Sequence, residues 1–189
     1  MKPSVVKLER THKRWATMSI ATIRMPDGRT LLRDVEDHGR AAAVLPYDPL
    51  RRTALLVEQL RAAALVAAGA THTLEAIAGL VDGEDDPTDT ARREALEEGG
   101  LRLAALEHVA TAWSTPGVST ERMALYLAEY RAEDRVADGG GVAHDEEEVK
   151  VVEIGLRELA ALMAAGGLVD MKTLALVQAL QLRRPELFG

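Results

Sequence analysis

Apolar residues along this chain follow two spacings, one typical of strands and the other typical of helices. Short runs of β-branched and apolar residues, bounded by turn signals such as Pro26-Asp27-Gly28, predict strands. The predicted strands are Trp15 to Met25, Arg29 to Asp37, Ala41 to Tyr47, Thr53 to Glu58, Leu103 to Trp113, Arg122 to Tyr130 and Val149 to Ile154. Helical spacing predicts two helices near the end of the chain, Leu156 to Ala165 and Met171 to Leu182.

A further helix is predicted from its end signals. Asp86 is a good N-cap, Pro87 suits the first helical position, and Gly99-Gly100 favours a helix end. The alanine-rich stretch up to Ala70 fits no single element. Strands, one helix, more strands and two helices follow one another without an internal repeat, which predicts a mixed α+β fold.

Composition limits the class of protein. The 189 residues are 47% hydrophobic and 28% charged, which excludes a disordered or fibrous chain. The net charge of −7 argues against broad binding to nucleic acid, and the absence of cysteine excludes disulfides and thiolate metal sites. Apolar runs are shorter than the roughly 18 residues that span a bilayer. We therefore expect a soluble, cytoplasmic protein that binds neither nucleic acid nor membranes.

The predicted helix after Asp86 carries an acidic face. Glu94, Glu97 and Glu98 stand at positions i, i+3 and i+4, so their carboxylates project from one side. Like charges at this spacing repel one another, and such a face either meets open water or holds cations. Leu96 is expected to point inward, beside the small Ala95. Taken alone, the segment is typical of a solvated surface helix.

The surroundings of this segment resemble the Nudix box, a spaced motif of one glycine, a Glu-rich helix and a closing glycine and aliphatic residue. The positions that match in register are Gly79, Arg93, Glu94, Glu97, Glu98, Gly100 and Leu101. Asp85 departs from the pattern, because the family has its first glutamate there. Other stretches resemble the nucleoside-diphosphate-sugar branch, which includes ADP-ribose pyrophosphatases and GDP-mannose hydrolases. They are Glu58-Gln59-Leu60-Arg61, Leu74 to Gly79, Thr115-Pro116-Gly117 and Gly139-Gly140-Gly141-Val142.

The resemblance implies a fold, a reaction and an assembly. The fold would be an α/β/α Nudix sandwich with a mixed sheet over residues 41–189. A small antiparallel strand module over residues 1–40 would serve dimerisation and base binding, so a homodimer is expected. The reaction would be hydrolysis of a nucleotide sugar at its diphosphate, giving a nucleoside monophosphate and a sugar phosphate.

The resemblance also implies a metal site. Glu94, Glu97, Glu98 and the backbone carbonyl of Ala78 would hold Mg²⁺ or Mn²⁺, with Glu97 either binding the metal or orienting a metal-bound water. Divalent cations of this kind prefer oxygen ligands and offset the charge of a reacting diphosphate. Arg93 would orient the glutamates through an ion pair.

An acidic loop follows the three glycines. By the resemblance, Glu147 is the base for the attacking water and Asp145 a second acidic position that meets substrate, while Glu146 remains a competitor for the base. From composition alone, the loop could equally be a solvated charged segment. The glycines are expected to give it freedom to close.

Three residues are expected to bind substrate. Arg61 fits a diphosphate clamp, because guanidinium pairs bidentately with phosphate oxygens, although it could be an exposed residue at a strand end. Glu75 would help to hold substrate or a metal-bound water. Trp15 resembles an aromatic residue that stacks on the nucleobase, with a core position as the alternative. Trp113 is expected in the core.

Other functions stay open at this stage. The chain could act on dinucleoside polyphosphates or oxidised nucleotides, or could be a nucleotide-sugar sensor without turnover. A plain acidic α+β scaffold is the remaining alternative. The complete set of Glu94, Glu97 and Glu98 argues against the sensor, which has no need of a full metal site.

Overall fold

A computed structural model describes residues 2–141 and 149–189. In these residues the chain forms ten strands and four α-helices. The strands are β1 Ser4–Lys13, β2 Thr17–Arg24, β3 Thr30–Asp37, β4 Ala41–Asp48, β5 Thr53–Gln59, β6 Thr73–Glu75, β7 Ile77–Leu80, β8 Glu107–Trp113, β9 Arg122–Glu129 and β10 Lys150–Gly155. The helices are α1 Ala62–Ala68, α2 Pro87–Glu97, α3 Leu156–Ala164 and α4 Met171–Arg183, with short 3-10 helices at Ala132–Asp134 and Pro185–Phe188.

The chain divides into two compact units. The first holds residues 1–40 together with 112–123, and the second holds 41–111 and 124–189. In the first unit, β1, β2 and β3 form an antiparallel sheet in that order. All ten residues of β1 are exposed, which is why no alternation of apolar and polar residues marked this strand in the sequence. The role of residues 1–40 in dimerisation and base binding stays a prediction.

The second unit is built on a larger sheet, of seven strands in all. Its order is β10, β5, β4, β9, β8, with β6 paired to β5 and β7 paired to β4. Every residue of β4 is buried, so both faces of this central strand are covered. Ala42 and Val44 share one core cluster with Ala91 and Ala95 of α2. Because successive strand residues face opposite sides, Ala43 and Leu45 lie on the other face.

Two of the helices, α2 and α4, pack on strands of this sheet. α2 packs against β7 and β4, and α4 packs against β4 and α3. This arrangement confirms the predicted α/β fold with its helices and sheet. None of the helices in residues 2–141 and 149–189 is long and apolar enough to cross a bilayer.

Candidate active site

Helix α2 begins where the sequence predicted. The Asp86 side chain accepts a hydrogen bond from the Thr88 N–H at 2.8 Å, and Pro87 occupies the first turn. The buried stripe consists of small residues, Thr90, Ala91 and Ala95. Leu96 is 41% exposed, so the expectation that it points inward is wrong. Small side chains let the helix approach the sheet closely, and the contact lies along Ala91 and Ala95 instead of Leu96.

The acidic face of α2 turns two carboxylates toward β7. Glu94 lies against Gly79 with its side chain 12% exposed, and Glu98 is buried with Oε2 3.4 Å from the Ala78 N–H. The Glu97 side chain is more accessible to solvent, at 34% exposed. The structure therefore brings Glu94 and Glu98 to Gly79 and Ala78 of β7, with Glu97 beside them at the end of α2.

Arg93 bridges two of these glutamates. Its Nη1 lies 2.9 Å from Glu94 Oε1 and 3.0 Å from Glu97 Oε2. Burial raises the pKa of Glu94, an effect that Arg93 opposes and Glu97 reinforces. The predicted ion pair is present, and it holds together like charges that would otherwise repel.

The chemistry of this donor set fits a hard divalent cation, since carboxylate and carbonyl oxygens are the ligands such ions prefer. As the side chains stand, residues 2–141 and 149–189 contain no group of three or more acidic or histidine side chains arranged to hold a metal. The predicted loop residues Glu147, Glu146 and Asp145 lie outside the described residues.

Arg61 and Glu75 meet in a second cluster. Arg61 Nε and Nη2 donate to the two Glu75 carboxylate oxygens at 2.9 and 2.8 Å, a two-pronged ion pair. Thr73 Oγ1 donates to the same carboxylate at 2.5 Å. The predicted clamp and the predicted substrate residue therefore lie in direct contact.

Lys172 completes this cluster and was not predicted. Its Nζ lies 2.5 Å from Glu75 Oε2 and 3.1 Å from Asp170, in the first turn of α4. Lys172 and Glu75 are 97 residues apart, and only packing of α4 brings them together. A lysine two residues after the N-cap Asp170 carries no sequence signal for this contact. Two cations, Arg61 and Lys172, thus flank one buried carboxylate.

The electrostatics of Glu75 follow from these partners. Burial alone would raise its pKa, but hydrogen bonds from Arg61 and Thr73 and the charge of Lys172 lower the pKa of Glu75 to about 2. The carboxylate is therefore ionised under all ordinary conditions, and it fixes the two cations beside it.

In the first unit, Trp15 is exposed instead of being part of a core. It is 73% exposed and stacks on the ring of His38, with ring centroids 4.6 Å apart. His38 is held in turn by Glu36 at 2.5 Å and Glu121 at 3.1 Å. Burial opposes the charged form of His38, but the two glutamates raise its pKa. An exposed indole fixed from one side is suited to stack on a planar ligand.

Trp113 is also exposed, so the expectation of a core position is wrong. The Arg122 guanidinium lies 5.6 Å from the centre of its ring. The Arg122 cation over the indole face is a favourable contact for a tryptophan that is exposed to water.

Comparison with known proteins places the chain in a family. Residues 37–173 match the family described as NUDIX domain. The GDP-mannose pyrophosphatase of Cronobacter sakazakii is 40% identical over 152 residues, which are 80% of this chain and 78% of the relative. The chain belongs to the NUDIX family. The GDP-mannose pyrophosphatase of Yersinia pestis is 32% identical over 182 residues, 94% of this chain and 90% of that protein.

The fold agrees with this family assignment. A crystal structure described as an ADP compounds hydrolase superposes with a TM-score of 0.78, covering 98% of this chain and 96% of that one. At 14% identity it supports the fold alone. The predicted Nudix fold and the prediction of a Nudix pyrophosphatase are confirmed. Nudix hydrolases generally use divalent metals, which fits the carboxylates on the acidic face of α2.

Proposed function

We propose that this NUDIX protein hydrolyses GDP-mannose or a closely related nucleotide sugar to a nucleoside monophosphate and a sugar 1-phosphate. The observation that carries the proposal is the 40% identity to a GDP-mannose pyrophosphatase over 152 residues. Water adds to one phosphorus, the bridging P–O bond breaks, and the other phosphate leaves. For GDP-mannose the products are GMP and mannose 1-phosphate.

The described residues supply two functions for this reaction. Glu94, Glu97, Glu98 and the Ala78 carbonyl would hold Mg²⁺ or Mn²⁺, which would offset the charge of the diphosphate and lower the pKa of water. Arg93, paired with two of the glutamates, keeps their orientation.

Arg61 and Lys172 are proposed to bind the diphosphate. Both already lie on the Glu75 carboxylate, so they are ordered before substrate arrives. Glu75 holds its negative charge between them and keeps both cations within reach of one anion. Glu147 is proposed as the base that takes a proton from water, with Glu146 and Asp145 as neighbours.

We also propose that the protein is a homodimer assembled through the first unit. Strand β1 is an edge strand of its sheet, and all ten of its residues are exposed, the apolar Val5 and Leu8 among them. A long exposed edge strand is prone to pair with another chain. Light scattering of the full chain tests this, and a monomer at micromolar concentration would contradict it. Leu8→Lys is expected to weaken the dimer.

The products decide the reaction. GDP-mannose, ADP-ribose and GTP are incubated separately with the protein and Mg²⁺ in ¹⁸O-labelled water, and the products are identified by mass. We expect GMP and mannose 1-phosphate, one of them labelled, with no turnover in chelator. Faster release of phosphate or pyrophosphate from GTP would contradict the proposal and favour a different Nudix reaction. Absence of turnover with all three would also contradict it.

A further inference from the structure

The C-terminal end of α2 leaves backbone carbonyls without partners inside the helix, as every α-helix does. Two of them are satisfied by the residues that follow directly. The Leu101 N–H donates to the Ala95 carbonyl at 2.8 Å, and the Gly100 N–H donates to the Leu96 carbonyl at 3.1 Å. The Gly100 bond is the αL pattern, in which the N–H of a left-handed glycine donates to the carbonyl four residues earlier.

The next two carbonyls are satisfied by a segment some forty residues later. The Gly140 N–H donates to the Glu98 carbonyl at 2.8 Å, and the Gly141 N–H donates to the Glu97 carbonyl at 3.1 Å. These carbonyls belong to two of the three glutamates whose side chains are proposed as metal ligands. Gly140 and Gly141 therefore complete the cap of the acidic helix at its functional end.

Close approach is what requires glycine at position 139. Its φ of +75° is left-handed, and a Cβ there would overlap the Glu98 carbonyl oxygen. The same Cβ would lie 2.8 Å from the carbonyl carbon of Gly99 and 2.9 Å from the nitrogen of Gly100. All three atoms are backbone, so no side chain can rotate away to make room.

The segment is also anchored just before the glycines. The N–H groups of Val136 and Ala137 both donate to the Gly100 carbonyl, at 2.9 and 3.3 Å. Residues 136–141 thus run along the end of α2 through four backbone hydrogen bonds. In the sequence, the glycines indicate freedom of movement, whereas in the structure they are packed on a helix end.

We propose that Gly139, Gly140 and Gly141 are positioning residues for the metal-binding carboxylates of Glu97 and Glu98. The cap fixes the backbone of these two residues, and a carboxylate on a fixed backbone keeps its orientation toward a metal. The identification of the carboxylates as metal ligands rests on the proposed function. The capping contact itself stands on the backbone geometry.

The test compares two glycines of equal backbone strain. Gly166 has a φ of +74°, and a Cβ there meets nothing within 4 Å. Gly139→Ala and Gly166→Ala thus differ in the overlap with α2. The Mn²⁺ affinity of each variant is measured by electron paramagnetic resonance, and its kcat and KM are measured with GDP-mannose as substrate. All measurements are made well below the melting temperatures of the two variants. We expect Gly139→Ala to weaken Mn²⁺ binding roughly tenfold and to lower kcat by at least as much. Gly166→Ala should stay within about twofold of the wild-type protein in both.

Equal Mn²⁺ affinity in the two folded variants would overturn the proposal. If Gly139→Ala does not fold, Gly140→Ala replaces it, since its Cβ would meet the Val149 carbonyl at 3.3 Å. Unchanged Mn²⁺ affinity in that variant would overturn the proposal as well. Weakened Mn²⁺ binding in a protein that turns over no nucleotide sugar would support the positioning role and contradict the proposed substrate.

Discussion

The carboxylate of Glu94 fills the space that any side chain at Gly79 would need. A Cβ on Gly79 would overlap Glu94 Oε1 and lie 2.7 Å from its Cγ. The φ of Gly79 lies outside the left-handed region, so close approach, and not backbone conformation, requires glycine here. The relationship fixes the depth at which α2 can present its acidic face to β7.

Gly79→Ala is expected to displace the Glu94 side chain and lower kcat by about 100-fold, because a metal ligand would lose its place against the strand. The matched control is Gly155→Ala. A Cβ on Gly155 meets nothing within 4 Å, and its φ of −61° suits alanine. Steady-state kinetics of both variants measure kcat and so test this expectation. Similar kcat values for the two would contradict the requirement at Gly79.

Removal of a single carboxylate from α2 tests the metal site. Glu97→Gln and Glu98→Gln are each expected to lower kcat by roughly 10³-fold, since metal stabilisation supplies several kcal/mol to the transition state. Asp89→Asn is the control on the same helix, where Asp89 is exposed and pairs with Arg92. Titration with Mn²⁺ should show weaker binding in the two glutamine variants alone. Near-full activity in either would contradict the assignment.

Glu75 should make the stability of the protein depend on pH. Its pKa is lowered from 4.5 to about 2, so its contribution is complete above about pH 4.5 and is lost as the pH falls toward 2. The contribution at neutral pH is on the order of 3 kcal/mol. Urea unfolding of wild type, Glu75→Gln and the exposed control Glu158→Gln at several pH values measures it. We expect the free energy of unfolding to fall less between neutral and acidic pH in Glu75→Gln than in the wild-type protein. Glu158→Gln should show the same fall as the wild-type protein.

The sequence predicted the acidic helix well because its ends and its functional face are local. Asp86, Pro87 and the closing glycines mark the ends, and the spacing of the glutamates sets the face. Leu96 was misplaced for a physical reason. Helical periodicity assigns large apolar residues to the core, but here alanines make the contact and Leu96 meets water.

The parts that the sequence did not show depend on distant packing. Lys172 reaches Glu75 only because α4 lies against the sheet, and Gly140 reaches Glu98 only because the chain returns to the end of α2. Helix α1 went unassigned because its alanine-rich residues are exposed and carry no apolar stripe. Local patterns do not encode contacts of this range.

Glu147 is predicted to be the base, which acts in the transition state. Glu147→Gln should therefore lower kcat by about 100-fold or more and change KM little. Parallel assays of Glu146→Gln and Asp145→Asn are the controls within the same loop. An unchanged kcat in Glu147→Gln, with a large loss in one neighbour, would move the role to that neighbour.

Trp15 is predicted to stack on the nucleobase, and the structure offers a matched control. Trp15 and Trp113 are both exposed indoles of the first unit, the one lying on His38 and the other under Arg122. Because Trp15 is 73% exposed, its removal should change the melting temperature little.

Trp15→Ala is expected to raise KM for GDP-mannose about fivefold, since one aromatic stacking contact contributes on the order of 1 kcal/mol. The same variant should keep kcat within about twofold, because the indole takes no part in breaking the P–O bond. Trp113→Ala should leave KM unchanged. Stacking discriminates poorly between purines, so Trp15→Ala should raise KM for ADP-ribose and KM for GDP-mannose by similar factors. Equal KM values in wild type and Trp15→Ala, measured by release of nucleoside monophosphate, would remove Trp15 from the binding site.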